Sequence, residues 1–373
     1  MSSPMFGSYR LGMWRDIVGG CLLWGLLIWG GMAGWHFIQV GRQIGQLKDA
    51  DAAVRKHAAE ELSKHPSSRA VQPLIDALSD PDIDVRDYAV IALGKSKDAR
   101  AVQPLMAHMK DGGISEKSRT DALANLGALA VQPLLAALKD PDYTMNYDAK
   151  EALGKMGSAA VEPMIGLLND PDTKIRQDAA DALGEAKDSR AVQPLIDALH
   201  GNDADLREVA ARALGKIADK RAADPLIAAL EDSSTSVRGS AALALGAIKD
   251  KRATPPLIAS INGKNPEVDG AAARALGLID DSQADDYLMG QFRAHNWDLI
   301  ASAASFFVRR GDKGSEEILI EALDKSGSQS LAEVMLNSGN TKLHDAADNW
   351  ATKNGYEITY MPGGKSASWG SKW

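Results

Sequence analysis

Histidine, cysteine and carboxylate groups are where chemistry would begin. The seven histidines (His36, His57, His65, His108, His200, His295 and His344) are dispersed, and none pairs with another at the spacing of metal ligands. A single cysteine, Cys21, permits neither an intramolecular disulfide nor a thiolate cluster. The chain has no Gly-x-x-x-x-Gly-Lys-Ser/Thr phosphate loop and no Gly-x-Ser-x-Gly nucleophile elbow. The triplets Asp80-Pro81-Asp82, Asp140-Pro141-Asp142 and Asp170-Pro171-Asp172 offer paired carboxylates that calcium would accept. The same carboxylates, set just before helical segments, are N-caps that hold free first-turn amides, and they are read as caps. The expectation is a protein with no catalytic residue, no cofactor and no metal.

Composition narrows the partners. Of 373 residues, 45% are apolar and 25% charged, the profile of an ordered chain, and 50 acids against 42 bases give a net charge of -8. That balance lacks the basic footprint of a nucleic-acid binder. Four of the eight tryptophans lie in the first 35 residues and two in the last five, so the middle must be built from small side chains.

The elements that position those side chains repeat. Pro73, Pro104, Pro133, Pro163, Pro194, Pro225 and Pro256 recur every 29 to 31 residues, each followed by one of Gly94, Gly127, Gly154, Gly184, Gly215, Gly246 and Gly277. RAVQPLIDAL is written identically at 69–78 and 190–199. Such a period marks an array whose units bury their apolar faces on one another. In each unit V-x-P-L-I-x-A-L reads as a helix A that tolerates proline in its first turn. After an Asp-rich loop, V-R-x-x-A-x-x-A-L-G reads as a helix B that ends at its glycine. The leucine before each glycine, from Leu93 to Leu276, is a core column, each worth about 1.5–3 kcal/mol when buried.

These strings resemble the short HEAT-like repeats of phycobilin lyases and bacterial scaffold proteins, over residues 51–280. The resemblance implies an all-α, right-handed α-solenoid whose B helices line a concave binding wall. It also implies an arginine ladder between neighbouring units, here Arg55, Arg86, Arg119, Arg176, Arg207 and Arg238, interrupted at Asn146 and Asp269. Enzymes share the repeat. Deoxyhypusine hydroxylases hold iron through His-Glu pairs, but no histidine here is followed by glutamate. Alkylpurine DNA glycosylases need a basic surface. A lyase-type or chromophore-binding enzyme stays as the rival to a protein-binding scaffold. The unit reading Tyr143, Thr144, Met145, Asn146, Tyr147 departs most from its siblings and is the first candidate partner patch.

Residues 17–40 carry no Asp, Glu, Lys or Arg, enough for a transmembrane helix after an N-terminal tail at 1–16. A signal peptide cleaved after Gly31-Met32-Ala33 is the rival, although the apolar run continues past it; a lipoprotein reading fails because the run follows Cys21. Trp14 and Trp35 stand about 31 Å apart along a helix, the spacing of two interfacial belts. Gly12, Gly19, Gly30, Gly34, Gly41 and Gly45 fall within an arc of about 80°, a face for packing against another membrane helix. Arg10 and Arg15 before the span balance Arg42 and Lys48 after it; a short N-terminal tail then favours an extracytoplasmic solenoid.

The expected layout continues with a linker at 41–50 that extends the helix, repeats at 51–280, divergent capping helices at 281–355 and a flexible tail at 356–373. Trp297, Phe306, Phe307 and Trp350 are expected to seal the end. In the tail, Trp369 and Trp373 beside Lys365 and Lys372 are an alternative partner-binding peptide. The function expected is a membrane-anchored scaffold, an accessory or assembly subunit of an integral membrane complex. Its partners would be integral membrane subunits and soluble proteins, with no nucleic acid.

Overall fold

The structure, a computed structural model, describes residues 37–108, 113–140, 142–360 and 367–372. It divides into two compact units, residues 1–152 and 153–373. In the first, A and B helices alternate as α1 (residues 37–46) and α2 (Ala52–Lys64), α3 (Val71–Ala77) and α4 (Ile83–Lys95), α5 (Val102–Ala107) and α6 (Glu116–Leu126), α7 (Ala128–Ala137) and α8 (Tyr143–Lys155). The second opens with α9 (Val161–Leu167) and α10 (Thr173–Ala186), α11 (Val192–Leu199) and α12 (Ala204–Ile217), α13 (Ala223–Ala229) and α14 (Thr235–Ile248), α15 (Thr254–Ser260) and α16 (Pro266–Leu276). Less regular helices follow: α17 (Ser282–Arg293), α18 (Trp297–Ser302), α19 (Ala304–Arg310), α20 (Ser315–Ser326), α21 (Gln329–Leu336) and α22 (Thr341–Lys353). The fold is the expected helical solenoid.

The caps form as read. Asp82 accepts from the Asp84 and Val85 amides, Asp172 from Lys174, and Asp203 from Asp205 and Leu206. The leucine column is buried throughout. The glycines behave differently from expectation. Gly94, Gly184, Gly215 and Gly246 lie inside their helices, which run on past them; Lys187, Ala218 and Lys249 take the left-handed terminal conformation instead. A Cβ at Gly215 would stand 2.8 Å from the Ala244 Cα, and one at Gly94 would overlap the Ala122 backbone. The glycines therefore allow successive B helices to touch backbone to backbone. Within this column Gly127, at a positive φ of 61° that favours glycine, and Gly277 do end their helices.

Two boundaries need correction. Residues 37–40, expected to end the membrane span, and 41–50, expected to be a linker continuing that helix, do share one helix to residue 46, but it is the A helix of an additional repeat that α2 completes. Val40, Gln43 and Leu47 are buried, 31 residues before Val71, Leu74 and Leu78. The following loop repeats the pattern too: the Arg55 guanidinium donates to the Asp49 and Ala50 carbonyls as that of Arg86 does to Asp80 and Pro81. Residues 17–36 lie outside the described residues, as do Gly12, Gly19, Gly30 and Gly34; among the described residues no helix is long and apolar enough to cross a membrane.

The second correction is the tail. Its β1 (Tyr356–Tyr360) and β2 (Ala367–Lys372) pair as an antiparallel ribbon, with Ile358 opposite Trp369 and Tyr356 opposite Lys372. Tyr and Ile residues favour strands, and Tyr356 stacks on Trp350 at 5.7 Å. Of the aromatics expected to seal the end, Phe306, Phe307 and Trp350 are buried, with Phe307 4.9 Å from Phe292, while Trp297 is half-buried beside His295.

Candidate interaction surface

Two polar seams organise the edges of the repeats. The first is the arginine column opening helix B. Arg55 donates through Nε and Nη2 to both carboxylate oxygens of Asp80, at 2.8 and 3.0 Å, and Arg207 binds Asp232 in the same bidentate manner at 2.8 and 2.9 Å. Arg176 reaches Asp203 at 2.9 Å. Each also holds carbonyls of its own A–B loop, so the side chain spans two units. The Arg207 guanidinium keeps the Asp232 carboxyl below the ordinary carboxylate range, against the opposing effect of burial.

The two interruptions are structural substitutes. Asn146 is buried and donates from its amide to the Leu138 carbonyl, taking over the loop contact. Asp269 reverses the polarity: its carboxylate accepts from the Asn262 and Gly263 amides at 3.2 and 2.9 Å. Beside Asn146, Arg119 turns to Asp148, whose side chain is only 1% exposed.

A second seam, not anticipated from the sequence, joins the turns that open successive A helices wherever D-x-R-A occurs. In D-x-R-A the aspartate caps a short turn and chelates the arginine two residues on, and that arginine reaches the preceding unit. Arg100 donates to the Ser68 carbonyl, Arg190 to Ser158 and Arg221 to Ser189, each 32 residues back. Arg190's guanidinium and backbone amide hold Asp188 at about 2. Arg69 fits this series, donating to the Phe37 carbonyl at 3.3 Å and stacking 3.7 Å from the Phe37 ring. That contact identifies α1 as the A helix of the first described repeat.

The candidate patch separates into two groups. Tyr143 is 73% exposed and stacks on Tyr147 at 6.1 Å, with the Lys150 ammonium 5.2 Å from the Tyr147 ring. Glu116, then burial and Glu151, raise the Tyr147 phenol above its ordinary value. Met145 is half-buried. Asn146 does not belong to the surface: the ladder column faces the loops, so its amide is committed inside. Of the glycine stripe, Gly41 faces the Arg69 guanidinium and Gly45 meets open space. Trp369 lies in β2; Trp373 is outside the described residues.

Open grooves recur between successive A–B loops in the second unit. One of about 690 Å³ is lined by Pro171, Arg176, Pro194, Asp197 and Asp203, and another of about 210 Å³ by Asp232, Arg238, Asn262 and Asp269. Their repetition follows from the loop spacing. Among the described residues no group of His, Cys, Asp and Glu is arranged to hold a metal ion.

The family described as HEAT repeats matches residues 44–127, 131–215 and 193–264, more than half of the chain. No curated protein matches. Among solved structures, human deoxyhypusine hydroxylase is similar with 21% identity over 67% of this chain and 98% of its own (TM-score 0.30). The CpcE–CpcF complex of phycocyanin lyase from Nostoc sp. shares 26% identity over 64% of this chain and 92% of its own (TM-score 0.29). Kap121p bound to Ste12p shares 12% identity over 84% of this chain and 45% of its own (TM-score 0.47).

Proposed function

The chain belongs to the HEAT-repeat family, and from that premise we propose that it is a membrane-anchored scaffold with no catalytic chemistry, an accessory or assembly subunit of an integral membrane complex. Residues 17–36, about 30 Å as a helix, form the anchor. Gly19, Gly30 and Gly34 admit a neighbouring membrane helix, and the repeats stand on the extracytoplasmic side. Soluble protein partners dock on the first unit around Tyr143 and Tyr147.

The observation that carries the binding reading is the exposed Tyr143 stacked on the half-buried Tyr147. Aromatic side chains are enriched at the cores of protein interfaces, because each brings a large area at small cost in conformational freedom. The corresponding helix starts elsewhere carry Ala52, Ile83, Glu116, Thr173, Ala204, Thr235 and Pro266, none of them aromatic. Glu116 and Glu151 beside the stack fit a partner with basic groups at its rim.

The test compares the full chain with a Tyr143→Ala, Tyr147→Ala variant, each isolated from native membranes in mild detergent, with accompanying proteins quantified by mass spectrometry. The expected result is loss of soluble partners with membrane partners retained. An unchanged set of soluble partners would refute the patch, and loss of the membrane partners as well would refute the division of roles.

A further inference from the structure

The register of α1 fixes where two exposed apolar side chains stand, and the repeat itself shows that they are out of place. Among the described residues, Ile38 (69% exposed) and Phe37 (60% exposed) are among the most exposed large hydrophobic side chains. Aligned on Val40, Val71, Val102, Val131, Val161 and Val192, Ile38 occupies the column of Arg69, Arg100, Arg190, Arg221 and Arg252. Phe37 likewise occupies the column of Ser68, Ser158, Ser189, Lys220 and Lys251. These columns face water in the other repeats and hold polar residues or alanine (Ala99, Ala128, Ala159) there, with Leu129 the one other large apolar side chain. Both columns carry large apolar side chains together in the repeat that directly follows the uncharged residues 17–36, with no intervening linker, because α1 is already docked through Val40, Gln43 and Leu47.

We propose that this corner of the first repeat is a lipid contact: Phe37 and Ile38 rest in the interfacial layer of the bilayer. Arg69, stacked on Phe37, and the exposed Arg42 then lie at headgroup level. A guanidinium on an aromatic ring suits that layer, where an apolar body and a charged tip meet different solvents. Val40, Gln43, Leu47 and the Arg69 clamp make the joint rigid, so the repeats are held at the membrane surface with a set orientation. A flexible tether would leave them free to swing. The inference rests on the membrane-anchor reading.

Leu129 provides an internal control. It occupies the Ile38 column three repeats on, at the start of α7, and is 43% exposed. In a Cys21→Ser background, Ile38→Cys and Leu129→Cys of the full chain are labelled with an environment-sensitive fluorophore. Both are reconstituted in nanodiscs of mixed phosphatidylcholine and phosphatidylglycerol, with and without a shallow spin-labelled quencher lipid. The expected result is that the label at 38 loses most of its emission to the quencher and the label at 129 keeps it. If the chain enters nanodiscs but the label at 38 is unquenched, or both labels are quenched alike, the lipid contact is overturned while the anchor stands. If the chain does not enter nanodiscs at all, both readings fall.

Discussion

In the last helices Phe306 and Phe307 meet edge to face at 5.1 Å, Phe292 packs on Phe307, and a β-ribbon covers Trp350 through Tyr356. In the first described repeat Phe37 and Ile38 stand in water, and one arginine provides the cover. An array of repeats leaves an unpaired apolar face at each terminus, and solubility requires each to be closed. One terminus closes with its own aromatics. At the other, the proposed cover is the bilayer.

The widest gap between these regions should appear on truncation. Phe307→Ala removes a ring that is 2% exposed, and should cost about 3–5 kcal/mol in urea unfolding of the second unit. Phe37→Ala should change soluble stability by less than about 1 kcal/mol, mostly the loss of its cation–π contact. Comparable losses would contradict the contrast. Next in size, Arg119→Met leaves the buried Asp148 without that guanidinium and should cost about 3 kcal/mol. Arg119→Lys should recover only part, since a point charge cannot reproduce the forked geometry.

Smaller effects sharpen the comparison of the two clamps. Arg69→Met loosens α1 from the Phe37 carbonyl, and Arg309→Met frees the Gly277 carbonyl at the other terminus. Each should cost about 1 kcal/mol, but hydrogen exchange should rise in α1 for the first and in α16 for the second. Thr254 stands in the A-helix valine column with a buried hydroxyl that has no hydrogen-bond partner among the described residues. Thr254→Val should stabilise the second unit by about 1 kcal/mol. The smallest effect is acid-linked. Asp188 is held at about 2 by Arg190, below the unfolded value of about 3.9. Its contribution is complete above about pH 4 and is lost as the pH falls toward 2. Arg190→Ala should move the Asp188 titration upward by NMR and reduce this part of the acid dependence, leaving the share held by the residue 190 backbone amide.

The helix pairs were legible because proline, leucine and glycine recur with so little drift that the period survives every other change. The first repeat was hidden by its own composition: an uncharged run through Val40 reads as membrane, although Asp49, Asp51 and Arg55 repeat at Asp80, Asp82 and Arg86. The glycine column reads as a stop signal, since a glycine near a helix end often caps it; only the packed neighbour shows that Ala122, Ala213, Ala244 and Ala275 claim the space. Asn146 was grouped with the tyrosines by adjacency, yet its own ladder column assigns it to the inside. The D-x-R-A seam was written in the sequence, but the contacts are to carbonyls, which carry no side-chain signature.

The central claim is membrane attachment at the first repeat. Native membranes carrying the full chain should be washed in alkaline carbonate, then solubilised in mild detergent and run on a native gel. The account predicts that the chain stays with the washed membranes and migrates with multispanning subunits. Release by carbonate, or migration alone, would contradict it.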